Sequence, residues 1–185
     1  MKKLLFINHS SSTGGAQRSL YEYLKLINED KKNEIFLLSP SSDNELLKEF
    51  RTINFRFIPQ FYNGIKSYYR GFRWFLLIRE TTYLFLFLFF CIYLKFAYKK
   101  FDLIYFNDIT LLPCLILKFF FKSRYVSALR SKQRLKKNFI YSFLKKLCDK
   151  YLFKIISIDN DIFNSSYCLN KTIICRNIFN FENIY

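Results

Sequence analysis

Acidic side chains are scarce in this chain: 14 Asp and Glu stand against 30 Lys and Arg, for a net charge of +16. The deficit is local. Lys66–Lys100 holds seven basic residues and one acid, Glu80; Lys118–Lys150 holds eleven and one, Asp149; the remainder is neutral. A concentrated positive patch attracts phosphates of lipids or nucleic acids, whereas a solvated basic face binds nothing specific. No recognition motif for nucleic acid accompanies the charge, so no nucleic-acid partner is expected. Histidine occurs once, at His9. The five cysteines, Cys91, Cys114, Cys148, Cys168 and Cys175, never stand in a C-x-x-C pair, which argues against a disulfide framework and a structural zinc site. No metal ligand set is expected. No secretory leader is expected either, because the apolar run after Met1-Lys-Lys ends at Ile7, short of an h-region. It reads as a first strand in a reducing cytoplasm. Internal repeats and low-complexity tracts are likewise missing.

Apolar residues make up 51% of the 185, with 24 Phe and 14 Tyr against one Trp, part of which reflects compositional drift. That is enough for one folded domain over residues 1–185 with a sizeable core. The segment Lys3–His9 with its apolar run, the loop Ser10-Ser-Ser-Thr-Gly-Gly15 and the run Ala16–Ile27, apolar at Ala16, Leu20, Leu24 and Ile27, read as strand, loop and helix. Paired glycines let a ligand approach the backbone, and the helix start favours an anion; a glycine in such a turn also serves tight packing alone. The loop has neither the Lys-Ser/Thr ending of a P-loop nor the dinucleotide spacing, which disfavours kinase-like and NAD chemistry.

Further strands are expected at Glu34–Ser39, Asn54–Ile58, Asp102–Phe106, Arg124–Leu129, Phe153–Ile158 and Lys171–Cys175, with a short helix after the Ser42/Glu45 capping box and others at Thr110–Phe121, up to Leu152, and within Asp159–Tyr167. The Gln60–Gly71 stretch reads as a basic, aromatic surface loop. Phe72–Tyr98 is the most apolar part of the chain, and Tyr83–Leu94 carries no charge. Twelve residues rise only about 18 Å as a helix, short of a hydrocarbon core of about 30 Å. A spanning helix must therefore accept Arg73, Arg79, Glu80 and Lys95. The alternatives are a long helix packed on the sheet and an interfacial helix that seats its Phe and Leu among headgroups.

Alternating strands and helices imply an α/β fold: a doubly wound, mostly parallel, Rossmann-like sheet of about seven strands with helices on both faces. Ligands in such sheets sit beyond the carboxyl ends of the strands. The residues expected there are His9 to Gly15 after the first strand, Asn107 and Asp108 after the fourth, Arg130 after the fifth and Ser157 to Asp159 after the sixth.

In that order the chain resembles the N-terminal domain of GT-B glycosyltransferases of family 4. The residues that carry the likeness are Ile7-Asn-His-Ser-Ser-Ser-Thr-Gly-Gly-Ala-Gln-Arg-Ser-Leu20, close to the family's "GGAERSL" loop and helix; Asp102-Leu-Ile-Tyr-Phe-Asn107; the basic turn at Arg130; and Ile156-Ser157 with Ile174-Cys-Arg-Asn177. The resemblance implies a retaining transferase that moves a sugar from a nucleotide-sugar donor to a cell-surface polysaccharide or lipid-linked acceptor. It would work at the inner face of the cytoplasmic membrane, as a peripheral protein on an anionic surface, with no cofactor. Gly14 and Gly15 would face the donor phosphates, whose charge grows in the transition state. Arg18 would hold an acceptor phosphate or stand solvated; His9, Asn107, Asp108, Arg130 and Ser157 would line the acceptor side. Many relatives have a histidine where Leu129-Arg130 stands, and arginine cannot act as a base. The family's donor-binding half has no counterpart before Tyr185, so the sequence alone is expected to be inactive. It would need a separate donor-binding subunit, or be a non-catalytic membrane-associated scaffold or truncated remnant.

Overall fold

The computed structural model describes residues 1–8, 15–29, 32–39, 53–59, 74–130, 139–166 and 168–175. The Ser42/Glu45 capping box and the Gln60–Gly71 loop lie outside the described residues. Seven strands, β1 (Lys2–Ile7), β2 (Asn33–Ser39), β3 (Phe55–Pro59), β4 (Leu103–Phe106), β5 (Arg124–Leu129), β6 (Lys154–Ser157) and β7 (Thr172–Ile174), form one sheet in the order β3-β2-β1-β4-β5-β6-β7. Every pairing is parallel. Among the described residues the helices are α1 (Gly15–Glu29), α2 (Trp74–Tyr98), α3 (Phe139–Tyr151) and α4 (Asn160–Asn164), with a 3-10 helix at Ile109–Phe119 and a single turn at Leu169–Lys171.

Parallel strands need covering on both faces, which explains their continuous apolar runs. Successive residues point to opposite sides. Leu5 and Ile7 of β1 pack with Phe36, Leu38, Ile104 and Phe106 beneath α2, the 3-10 helix and the end of α3. Leu4 and Phe6 pack with Ile35, Leu37, Tyr105 and Val126 beneath Leu20 and Leu24 of α1. Phe36 meets Phe101 edge-on at 5.3 Å between centroids, and Phe101 continues to Phe121 at 5.1 Å, so aromatic contacts join the amino ends of the strands.

The expected helix after β4 is wound more tightly than an α-helix. Asp108 caps it, its Oδ1 accepting from the Thr110 N–H at 2.8 Å, and the Leu111 N–H donates to the Asp108 carbonyl at 3.1 Å. Pro113 has no N–H to begin an i→i−4 ladder. The five cysteines are free thiols, and burial pushes the Cys91 thiol up to about 12.

Phe106 is fully buried and its ring lies 6.1 Å from that of Tyr125. Phe106→Ala should lower stability by about 3–5 kcal/mol, read as a fall in the denaturant midpoint at unchanged slope.

Candidate functional site

The chain builds outward from β1 in both directions, β2 and β3 to one side and β4 to β7 to the other. The crevice where the order reverses lies at the carboxyl ends of β1 and β4, and the residue following each is an asparagine. Such a switch point is where α/β sheets bind ligands, because the crossovers diverge to opposite faces there.

Asn107 has no exposed surface. Its backbone N–H continues the ladder to the Ile7 carbonyl at 2.9 Å. Its side-chain Nδ2 donates to Asn8 Oδ1 at 3.1 Å and to the Ala16 carbonyl in the first turn of α1 at 3.2 Å. Asn8, also buried, donates in turn to Ser39 Oγ at 3.2 Å. One amide thus ties together the ends of β1 and β4 and the start of α1, and a second carries the tie to β2. Buried polar groups in such a network must all be matched, which fixes their orientation.

Arg130 follows β5 and reaches back across β4. Its Nε donates to the Asn107 carbonyl at 3.3 Å and its Nη2 to Asn107 Oδ1 at 3.0 Å, with the Tyr105 hydroxyl at 3.5 Å. The guanidinium is therefore a half-buried, oriented cation at the rim, suited to an anion or a carboxylate. Across the crevice the Tyr23 ring of α1 stacks on Tyr105 at 6.0 Å and 20°, and its hydroxyl meets Cys175 Sγ at 3.4 Å. Burial, followed by the contact with Cys175, raises the Tyr23 pKa, and burial also raises that of Tyr105 while Arg130 pulls it down.

Gly15 opens α1, is exposed, and a Cβ built on it would meet no atom within 4 Å. Tight packing is thus not what this glycine serves. Arg18 projects into solvent from the first turn. Asp108 and Ser157 are at the rim but engaged locally: Asp108 caps the 3-10 helix, and Ser157 Oγ donates to the Asp159 carbonyl at 2.8 Å. His9 and Gly14 lie outside the described residues. Among the described residues no group of His, Cys, Asp and Glu is arranged to hold a metal. The structure brings Asn107, Arg130 and the start of α1 together. It adds Asn8, a polar residue directly after an apolar strand, Tyr105 and Cys175, which stand inside the stretches that carry the resemblance, and Ser39 and Tyr23, which no pattern singled out.

No protein-family model matches the sequence, and no curated protein matches it. The fold is found in solved structures. HepE of Anabaena, in complex with UDP and glucose, superposes with a TM-score of 0.65 at 14% identity over 98% of this chain and 46% of that one. The lipopolysaccharide outer core galactosyltransferase WaaB gives 0.57 at 15% identity over 99% and 47%. MurG of Acinetobacter baumannii gives 0.55 at 10% over 100% and 48%. The chain spans about half the length of these structures, and it shares with them a Rossmann-like α/β sheet.

A raised tyrosine pKa has a definite sign. Below the unfolded value near 10 both states are protonated and the contribution is complete; above it only the unfolded chain ionises, so stability falls as pH rises. Denaturant midpoints should drop between about pH 9.5 and 11.5, and Tyr23→Phe should make the drop shallower.

Proposed function

We propose that this domain is the acceptor-binding half of a retaining, family 4-like GT-B glycosyltransferase. It takes a sugar from a nucleotide-sugar donor to a cell-surface polysaccharide or lipid-linked acceptor at the inner face of the cytoplasmic membrane. The observation that carries the reading is the switch-point crevice: an exposed helix start at Gly15 with open space above it, beside an arginine held by Asn107. The fold supports it, since HepE, which shares the fold across nearly all of this chain, is crystallised with UDP and with UDP-glucose.

In this reading the backbone N–H groups at the start of α1 face the donor diphosphate across a cleft completed by a second domain or subunit. The diphosphate departs as the bond to the sugar breaks, and its added charge is met by these fixed dipoles and their helix. Arg130 cannot take a proton at neutral pH, so its part is to hold an anionic group of acceptor or donor. Asn8 and Asn107 keep it aimed. Arg18, on the solvent side of the same turn, receives an acceptor phosphate. Asp108 and Ser157 shape the rim without touching substrate. The reading needs a donor-binding half to be active, and a non-catalytic membrane-associated scaffold is the alternative.

The test is Gly15→Val in the native protein, whose source is assayed with radiolabelled nucleotide sugars and its own membrane extract. The added side chain meets open space, so the melting temperature should hold. Transfer should fall by roughly tenfold or more if the start of α1 contacts the donor. Unchanged transfer would favour the scaffold.

A further inference from the structure

Helix α2 has 25 residues, long and apolar enough to cross a membrane by length and composition. It rests on the sheet by one narrow stripe, with Phe87, Cys91 and Leu94 buried. The opposite side is exposed and equally apolar. Ile78, Thr82, Phe85, Phe89, Ile92 and Phe96 follow one another at spacings of four and three residues, which places them on one outward line about 27 Å long. Phe96 is 80% exposed and Phe85 60%, the latter touching Phe89 edge-on at 5.1 Å. From Thr81 to Leu94 there is no charge. A solvated helix face is polar; one that is apolar all round belongs inside a protein or against lipid.

The topology decides how lipid is met. A crossing at α2 would put β1–β3 and β4–β7 on opposite sides of a bilayer, yet β1 is hydrogen-bonded to β2 and to β4. A return crossing has no room, because residues 60–73 number 14 and include Lys66, Arg70 and Arg73, fewer than the roughly 17 a span requires.

Charge selects the lipid. α2 runs from the carboxyl edge of β3 to the amino edge of β4, where Lys95 in its last turn and Lys99 and Lys100 just after it are all exposed. The 3-10 helix ends at the same edge with Lys118 and Phe119, the latter 86% exposed, followed by Lys122. The two ends touch: Lys95 Nζ lies 5.3 Å from the Phe121 ring centroid, while Lys118 rests on the Tyr151 ring at 4.0 Å and Arg124 on the Phe153 ring at 5.2 Å. An apolar line ending in exposed aromatics and lysines matches the acyl boundary and headgroups of an anionic leaflet.

We infer that the outer face of α2, from Ile78 to Phe96, with Phe119 and the lysines around it, lies flat in the interface of an anionic membrane and holds the domain there without spanning it. This names the surface by which the proposed transferase would reach a membrane-borne acceptor, and it rests on that reading only for what the attachment is for.

The native protein is mixed with vesicles of phosphatidylcholine, with and without phosphatidylglycerol, and sedimented. Binding to the anionic vesicles is expected, weakened by salt. The triple variant Phe85→Ser, Phe89→Ser, Phe96→Ser should bind roughly tenfold less or weaker still at unchanged circular dichroism. Lys99→Glu with Lys100→Glu and Lys122→Glu, exposed changes that leave the core alone, should abolish the preference for phosphatidylglycerol. In a Trp74→Phe background, Phe89→Trp should be quenched more by lipids labelled high on the acyl chain than by those labelled near its end. Equal binding of the triple serine variant, deeper quenching, or no vesicle binding together with a dimer that the serine changes dissociate would each overturn the inference; the dimer would assign the face to a second copy. Sugar transfer assayed in detergent with a water-soluble acceptor does not depend on this face, so failure here leaves the transferase reading standing.

Discussion

The sheet changes its direction of growth between β1 and β4, and the amide of Asn107 closes the gap. Two strands can lie side by side in parallel only if the chain returns from one carboxyl end to the next amino end, so their carboxyl ends come together with nothing between them except the residues that follow. Here those are asparagines whose side chains bond to one another, to the first turn of α1 and, through Asn8, to β2. Arg130 is positioned by the same Asn107, through both its carbonyl and its side-chain oxygen. Removing that amide would take one partner from Asn8 Oδ1 and one from the Arg130 guanidinium, and a lost match to a buried polar group costs about 1–3 kcal/mol. Architecture and site thus share one residue.

Much of this was legible in the residues. Apolar runs bounded by polar or turn residues marked the central strands, because a strand buried on both faces has no room for a charge, while the edge strand β3 was marked by alternation around the exposed Arg56. The positions following them marked the rim. What the sequence concealed was how each polar group is engaged. Asp108 and Asn107 are neighbours of similar size, yet one caps a helix and the other links three elements, a difference set by the direction each side chain takes from a turn. Tyr23 and Cys175 meet across 152 positions, which no local pattern encodes. The tight winding at Ile109–Phe119 was not legible either, since Pro113 lacks the N–H for an i→i−3 bond as much as for an i→i−4 bond and does not select between the two geometries.

Apolar composition left the long helix undecided between packing and lipid, since a core helix and an interfacial one both read as uncharged. The structure resolves the sides. Phe87, Cys91 and Leu94 take one stripe into the core, and the rings of Phe85, Phe89 and Phe96 take the other outward. One segment satisfies the sheet and still presents a second apolar face, so neither face alone accounts for its composition.

The place of β1 in the sheet also orders events during synthesis. It is made before the other six strands, but its second neighbour, β4, begins only at Leu103, and the hydrogen bond between Asn8 and Asn107 spans 99 positions. Until then one flank of β1 has backbone groups with nothing to pair with, and the chain must hold about a hundred residues in register across a long loop before that flank is sealed. Contacts so distant along the chain slow folding. The growing polypeptide therefore passes through a stage in which an open strand edge and the oily helix that precedes β4 are exposed at once, and a chaperone or a nearby surface able to cover both would govern how much of it reaches the finished fold.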